Sequence, residues 1–327
     1  MTLGAAAVRT ALGLGDDARA WLDGLDTVGP PPDGVALPAP DDALELLRRL
    51  AVPDRDAAEI VDAMPGADTH PELWWLLARH HHKLVRDLGD CTTMDMPPHL
   101  PAALGPVARY FYVYVFLATV PAARRYHAER GVPDDVGWGT LDQLGELVDV
   151  HRRQFGVGGM DKQFWLTLHL RGVIYRLGRL QFNLQHLDDD VRYLAPGQPV
   201  LGTHIPELGG PLTPAACAAS VERARPYFDR HFPEHGARYA VCTSWLLDPQ
   251  LADHLPESSN IVQFLRSWTL VDEEPQDGDE SVLEFVFRHN GQPLAELPRR
   301  TTLERAVLDH LDAGKHWHVR TGYLELP

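Results

Sequence analysis

The densest concentration of chemically useful residues lies at VLGTHIPELGGPLTP, residues 200–214. A short apolar run leads into a loop holding Gly209 and Gly210, and Thr213-Pro214 then makes an N-cap and first-turn pair for a helix. Glycines let backbone N–H groups approach a ligand closely, and a helix start adds free donors and partial positive charge. Gly209, Gly210, Leu212, Thr213 and Ala215 are therefore candidates for holding a pyrophosphate or another anion, although a turn needing glycine only for its geometry would read the same way. Neither GxGxxG nor GxxxxGK[ST] is present, so a Rossmann or P-loop nucleotide site is unsupported. His204 and Glu207 sit at the end of the strand and in the loop. Each is a candidate general base, because histidine titrates near neutrality and burial can raise a glutamate.

A second group lies at Cys242, Thr243, Ser244 and Trp245. On a strand, Cys242 and Ser244 share a face. If that strand neighbours 200–205, Cys242 and His204 would form a nucleophile–base pair; otherwise Cys242 is a small buried hydrophobe. Ser258-Ser259-Asn260 follows a proline, so Ser258 and Asn260 are candidates either for capping a helix or for offering donors to a ligand. The histidines do not make a metal site. His80, His81 and His82 are consecutive and point in three directions on a helix. His231 with His235, and His316 with His318, lack a carboxylate or cysteine framework.

These residues need elements to hold them. Residues 3–25 predict one or two short helices, and GPPPDGVALPAP at 29–40 is a punctuated linker. Helices follow over ALELLRRL, 54–63 and 71–88. Residues 106–129 predict a helix apolar nearly all round, suited to the centre of a bundle. Further helices are predicted at 140–155 and 162–177, the last capped by Gly178. The period then changes. In RLQFNLQHL, Leu180, Phe182, Leu184 and His186 alternate with Gln181, Asn183 and Gln185, which predicts a strand with one dry and one polar face. The boundary between a helical region, 1–178, and a mixed α/β region, 179–327, is placed there, with 1–40 a peripheral extension or part of the first region. Beyond a polar turn at 188–199, strands are predicted at 200–205, 239–247, 264–271 and 282–288. The acidic stretch DEEPQDGDES joins the last two, which predicts an antiparallel hairpin with a charged tip. A helix over 214–231 should kink or break at Pro226. Thr301 and Glu304 form a capping box for a helix over 302–313, and 317–324 should add an edge strand.

Composition narrows the function. With 327 residues, two domains are the default. A formal net charge of −16 lacks the basic field that a nucleic-acid binder uses. Three cysteines, far apart, form neither a disulfide framework nor a CxxC site, which fits a cytoplasmic setting. The longest apolar stretch, about 111–120, is far short of a membrane span of roughly 20 residues.

RLQFNLQ, THIPELGGPLTP, YAVCTSWLLDPQLADHLPESSNIVQF and LPRRTTLERAVLDHL resemble, in that order, the C-terminal domain of a two-domain family of GNAT-like acyltransferases. Residues 40–178 resemble that family's helical N-terminal domain. The resemblance implies an α+β protein, a helical N-terminal domain followed by a GNAT-like mixed-sheet α/β domain. It implies acyl transfer from a CoA thioester to an amine or hydroxyl of a small molecule, with acyl-CoA as cosubstrate and no tightly bound cofactor or metal. By this resemblance strand 239–247 lies beside 200–205, with the pantetheine arm where the two splay. His204 or Glu207 would be the base, and Ser244 would serve the oxyanion or departing thiolate. A Cys242 acyl-enzyme would be a second route, making a covalent transferase or hydrolase. The usual Q/RxxGxG/A sequence is absent, and residues 248–263 hold no tyrosine to act as an acid. A GNAT-like protein that binds a small ligand without catalysis would show the same departures.

Overall fold

In a computed structural model, residues 3–93, 96–187, 194–271 and 274–327 are described. Part of the polar turn at 188–199 and the start of the acidic stretch, Asp272 and Glu273, lie outside them. The chain divides into two compact units, Met1–Tyr175 and Arg176–Pro327.

The first unit is helical: α1 (Ala5–Ala11), α2 (Arg19–Val28), α3 (Pro40–Arg49), α4 (Asp54–Asp62), α5 (Pro71–Arg86), α6 (Pro106–Arg109), α7 (Phe111–Glu129), α8 (Asp134–Leu141), α9 (Gln143–Phe155) and α10 (Gln163–Leu170). Helix α7 is its axis. Phe111, Val113, Tyr114, Val115 and Phe116 are all fully buried, as an all-round apolar helix requires. Val8, Leu22 and Leu25 of α1 and α2 belong to the same core as Leu76 and Leu77 of α5, so this N-terminal stretch is built into the unit. A polar knot ties α4, α9 and the junction of α6 with α7 together. Arg152 donates to both Asp56 carboxylate oxygens at 2.8–3.1 Å and to Glu59 at 2.7 Å. The Tyr110 hydroxyl donates to Asp56 at 2.9 Å. Burial raises Glu59, but hydrogen bonds from Arg152 and Tyr110 outweigh it and hold the carboxyl below its usual range.

The helix predicted over 162–177 ends early. Gly172 adopts a left-handed φ of 68°, its N–H bonds to His169 and the Val173 N–H reaches back to Leu168. This paired pattern closes a helix end. The chain then extends into β1 (Ile174–Arg176), within which the unit boundary falls, and Gly178 serves the turn before β2 instead of capping the helix.

The second unit contains β2 (Gln181–His186), β3 (Pro199–His204), α11 (Pro214–His231), β4 (Tyr239–Ser244), α12 (Leu251–His254), α13 (Asn260–Arg266), β5 (Thr269–Leu270), β6 (Gln276–Asp277), α14 (Asp279–Phe287), α15 (Thr302–Asp312) and β7 (His318–Glu325). Its strands run in the order β2-β3-β4-β7-β5, with β6 also on β7. Strands β2 and β3 are antiparallel, β3 and β4 parallel across the α11 crossover, and β4 and β7 antiparallel.

Four expectations change here. Residues 282–288 form most of helix α14, and 264–271 split between α13 and the two-residue β5, so no hairpin joins them. Ser259 drives the second change, because its hydroxyl accepts the Val262 N–H and starts α13. Strand β7 is flanked by β4 on one side and by β5 and β6 on the other, so it is interior to the sheet and not an edge. Helix α11 also runs unbroken through Pro226. The capping box at Thr301 and Glu304 forms as expected.

Candidate active site

Strand β3 is held along one side by β2 as far as Gln181↔His204. On its other side the ladder with β4 covers Leu201↔Ala240 and Gly202↔Val241 and goes no further, although β3 continues to His204 and β4 to Ser244. The two parallel strands thus part at their C-terminal ends. Past the last rung lie Thr203 and His204 on one strand, and Cys242, Thr243 and Ser244 on the other. Thr203 is 3% exposed, and its hydroxyl has no partner among the described residues.

Register sets which side chains meet. Residues paired across strands share a face, so His204 lies with Gly202, Asn183, Val241 and Thr243. Cys242 and Ser244 lie on the opposite face with Leu201 and Thr203. Neighbouring strands therefore do not bring Cys242 to His204. Burial also pushes the Cys242 thiol up to about 12, where no useful thiolate exists near neutral pH. Burial acts on His204 in the other direction, pushing it down to about 4, so its imidazole is neutral at pH 7. His204 donates Nε2–H to Asn183 Oδ1 at 2.7 Å. Glu207, the other candidate base, instead holds an ion pair with Arg288. Ser244 Oγ accepts the Leu246 N–H at 3.1 Å, which leaves its own hydroxyl hydrogen to donate.

At the loop, Gly209 and Gly210 have φ of 119° and 82°, a region in which a side chain is strained. Among the described residues, the N–H groups of Gly209, Gly210, Leu212 and Ala215 have no hydrogen-bond acceptor. Thr213 caps α11 by accepting the Ala216 N–H at 3.3 Å. A cavity of 490 Å³ opens beside this turn. Leu212, Pro214 and Cys217 form one wall, and Gln263 and Phe264 of α13, with Trp268 just beyond that helix, form another; Ser258 and Asn260 do not line it.

One residue here has no sequence motif. Arg179 is 9% exposed and donates to the Pro206 carbonyl at 2.9 Å. A Cβ on Gly209 would lie 4.0 Å from its Nη1. Burial raises the Cys217 thiol and the Arg179 charge opposes that shift, which puts the cation in reach of the first turns of α11 as well. In the basic doublet Arg299-Arg300, Arg299 is paired with Asp309 and Asp312.

A strand pair that parts, a glycine loop with amides turned away from the chain's own acceptors and a capped crossover helix make up a GNAT-like domain. Residues 41–172 match the N-acyltransferase N-terminal domain and residues 174–324 the GNAT-like C-terminal domain. The chain belongs to this two-domain acyltransferase family, whose members include solved structures 58% identical to it over 99% of this chain and 100% of theirs. One is an acyltransferase in complex with CoA and 10C-teicoplanin, with a TM-score of 0.95. Another is an acyltransferase in complex with decanoyl-CoA and teicoplanin, also at 0.95. A third is an acyltransferase mutant in complex with octanoyl-CoA, at the same identity and TM-score. No curated protein matches the chain. The protein moves an acyl group from a CoA thioester to an amine or hydroxyl of a small molecule, with acyl-CoA as cosubstrate. Among the described residues, no helix is long and apolar enough to cross a membrane.

Proposed function

We propose that this chain is an N-acyltransferase that places a medium-length acyl chain, of the octanoyl to decanoyl class, on an amino group of a glycopeptide of the teicoplanin type. The observation that carries the reading is the parting of β3 and β4 with His204 at the opening, in a chain 58% identical to an acyltransferase held with decanoyl-CoA and teicoplanin. In this reading His204 is the base. Its neutral imidazole takes the proton of the attacking amine as the new C–N bond forms. The C–S bond breaks, its electron pair leaves on sulfur, and the CoA thiolate is protonated. Ser244 lies on the face opposite His204 and is left out of this step. The amides of Gly209, Gly210, Leu212 and Ala215, with Arg179, hold the CoA diphosphate.

The test is incubation with decanoyl-CoA and a teicoplanin scaffold lacking its acyl chain. The expected product carries one decanoyl group by mass spectrometry, with free CoA released in equal amount. CoA release without acylated glycopeptide would reject the acceptor class. Arg179→Gln is expected to raise KM for acyl-CoA roughly 10- to 100-fold with kcat nearly unchanged, the worth of about 1.5–3 kcal/mol for a hydrogen bond to a charged group. An unchanged KM would remove Arg179 from the diphosphate site.

A further inference from the structure

We propose that Asn183 is a positioning residue for His204: its amide oxygen holds the imidazole as the Nε2–H tautomer, so that Nδ1 carries the lone pair that receives the acceptor's proton. This rests on the reading of His204 as the base.

The geometry fixes each part of the statement. Asn183 pairs with Gly202 across the β2–β3 ladder, which makes His204 its diagonal neighbour on the same face. The Asn183 amide has one orientation available. Its Nδ2 donates to the Leu184 carbonyl at 3.1 Å, so the atom turned toward His204 is the acceptor Oδ1. Facing an acceptor, the imidazole nitrogen must carry hydrogen. In a neutral ring the lone pair then resides on the other nitrogen.

Gly202 allows this arrangement. A Cβ at position 202 would meet Asn183 Oδ1 at 2.1 Å and Gln185 Oε1 at 2.5 Å. The amide can lie over the strand only because that position is glycine. Asn183 is itself 9% exposed, so the bond is shielded from competing water. Among the described residues, the groups that share the face of His204 are mostly neutral. Gln181, Asn183 and Gln185 face it from β2 and Thr243 from β4. The charges on adjoining segments are Arg179, held on the Pro206 carbonyl, and the Glu207–Arg288 pair. Burial alone accounts for the shift of the imidazole.

The proton path balances. The amine proton moves to Nδ1 as nitrogen bonds to the thioester carbon, the Nε2 hydrogen stays on Asn183 Oδ1, and the resulting imidazolium gives up its proton to the departing thiolate.

The experiment uses the full chain with 15N-labelled histidine, comparing wild type, Asn183→Ala, Asn183→Asp and His204→Gln. Long-range 15N–1H spectra should show His204 as the Nε2–H tautomer in wild type and a mixture in Asn183→Ala. Asn183→Ala should lose roughly 10- to 100-fold in kcat while KM for acyl-CoA stays within about twofold. Asn183→Asp keeps an acceptor but adds a negative charge, so it should recover kcat at about pH 8 and raise the His204 titration midpoint by roughly 1–3 units. A wild-type Nδ1–H tautomer, an unchanged kcat in Asn183→Ala, or an unmoved midpoint in Asn183→Asp would each overturn the proposal. Full activity in His204→Gln would instead overturn the underlying reading of His204 as the base.

Discussion

His204→Gln is expected to lower kcat by about 10²–10⁴-fold while leaving KM for acyl-CoA within a small factor, as removal of a general base does. Glutamine keeps a donor that can face Asn183 but has no group able to take a proton. The pH dependence has a definite sign. Burial pushes the imidazole down to about 4, so the base is in its active, neutral form at neutral pH. Activity limited by this group should hold down to about pH 5 and fall as pH drops through about 4. Protonation of the acceptor amine would add a separate limb at higher pH, and varying the acceptor shifts that limb alone. Steady-state kinetics on both proteins across pH checks the expectation. A variant within threefold of wild type at every pH would remove His204 from the chemistry.

The second large effect concerns stability. Asp56→Ala should destabilise the protein by about 3–5 kcal/mol, because removing one partner of a buried ion pair leaves the other charge uncompensated. Asp56 is 1% exposed and receives hydrogen bonds from both Arg152 and Tyr110. Glu59 remains as a partner, but it cannot replace the bidentate contact of Arg152 with Asp56. A thermal midpoint lower by roughly 6–20 °C is expected for a unit of this size. Urea titration gives the free energy directly, and a loss below about 1 kcal/mol would show that the knot does not hold α4 to α9.

Local signals explain which parts of this structure could be read from sequence. The alternation at 180–186 specifies β2, because a half-buried strand needs period two. Thr213-Pro214 and the Thr301–Glu304 box specify two helix starts, because capping is decided within four residues. VLEFVFR at 282–288 misleads, since a short run rich in β-branched and aromatic residues suits either a strand or a helix packed on one side. Only tertiary packing around the buried Val282 settles it as a helix. The long helix predicted to Leu177 fails for a related reason. Its apolar spacing continues past Gly172, but glycine in the left-handed conformation ends the hydrogen-bonding pattern first.

The site was legible to a similar depth. The glycine loop and His204 stand within a few residues of each other, so a scan along the chain finds them. Arg179 and Asn183 do not announce themselves, because their roles depend on β2 lying antiparallel to β3 in one register. The face occupied by Cys242 was also hidden. Parity relative to His204 follows from Gly202↔Val241, a pairing between strands separated by the whole of α11. Once that register is known, alternation alone separates the two side chains.

The interior place of β7 has a consequence for how the second unit is made. Strand β4 is synthesised long before its antiparallel partner, with α12 to α15 between them. Until β7 arrives, the edge of β4 that it will cover carries unpaired backbone groups, an invitation to pair with the wrong strand or another molecule. The helices of the first unit present no such edge, since an α-helix pairs its backbone groups within itself. During synthesis the helical unit can therefore mature while the sheet remains open, and the rate of correct assembly should be set by closure of this distant strand pair.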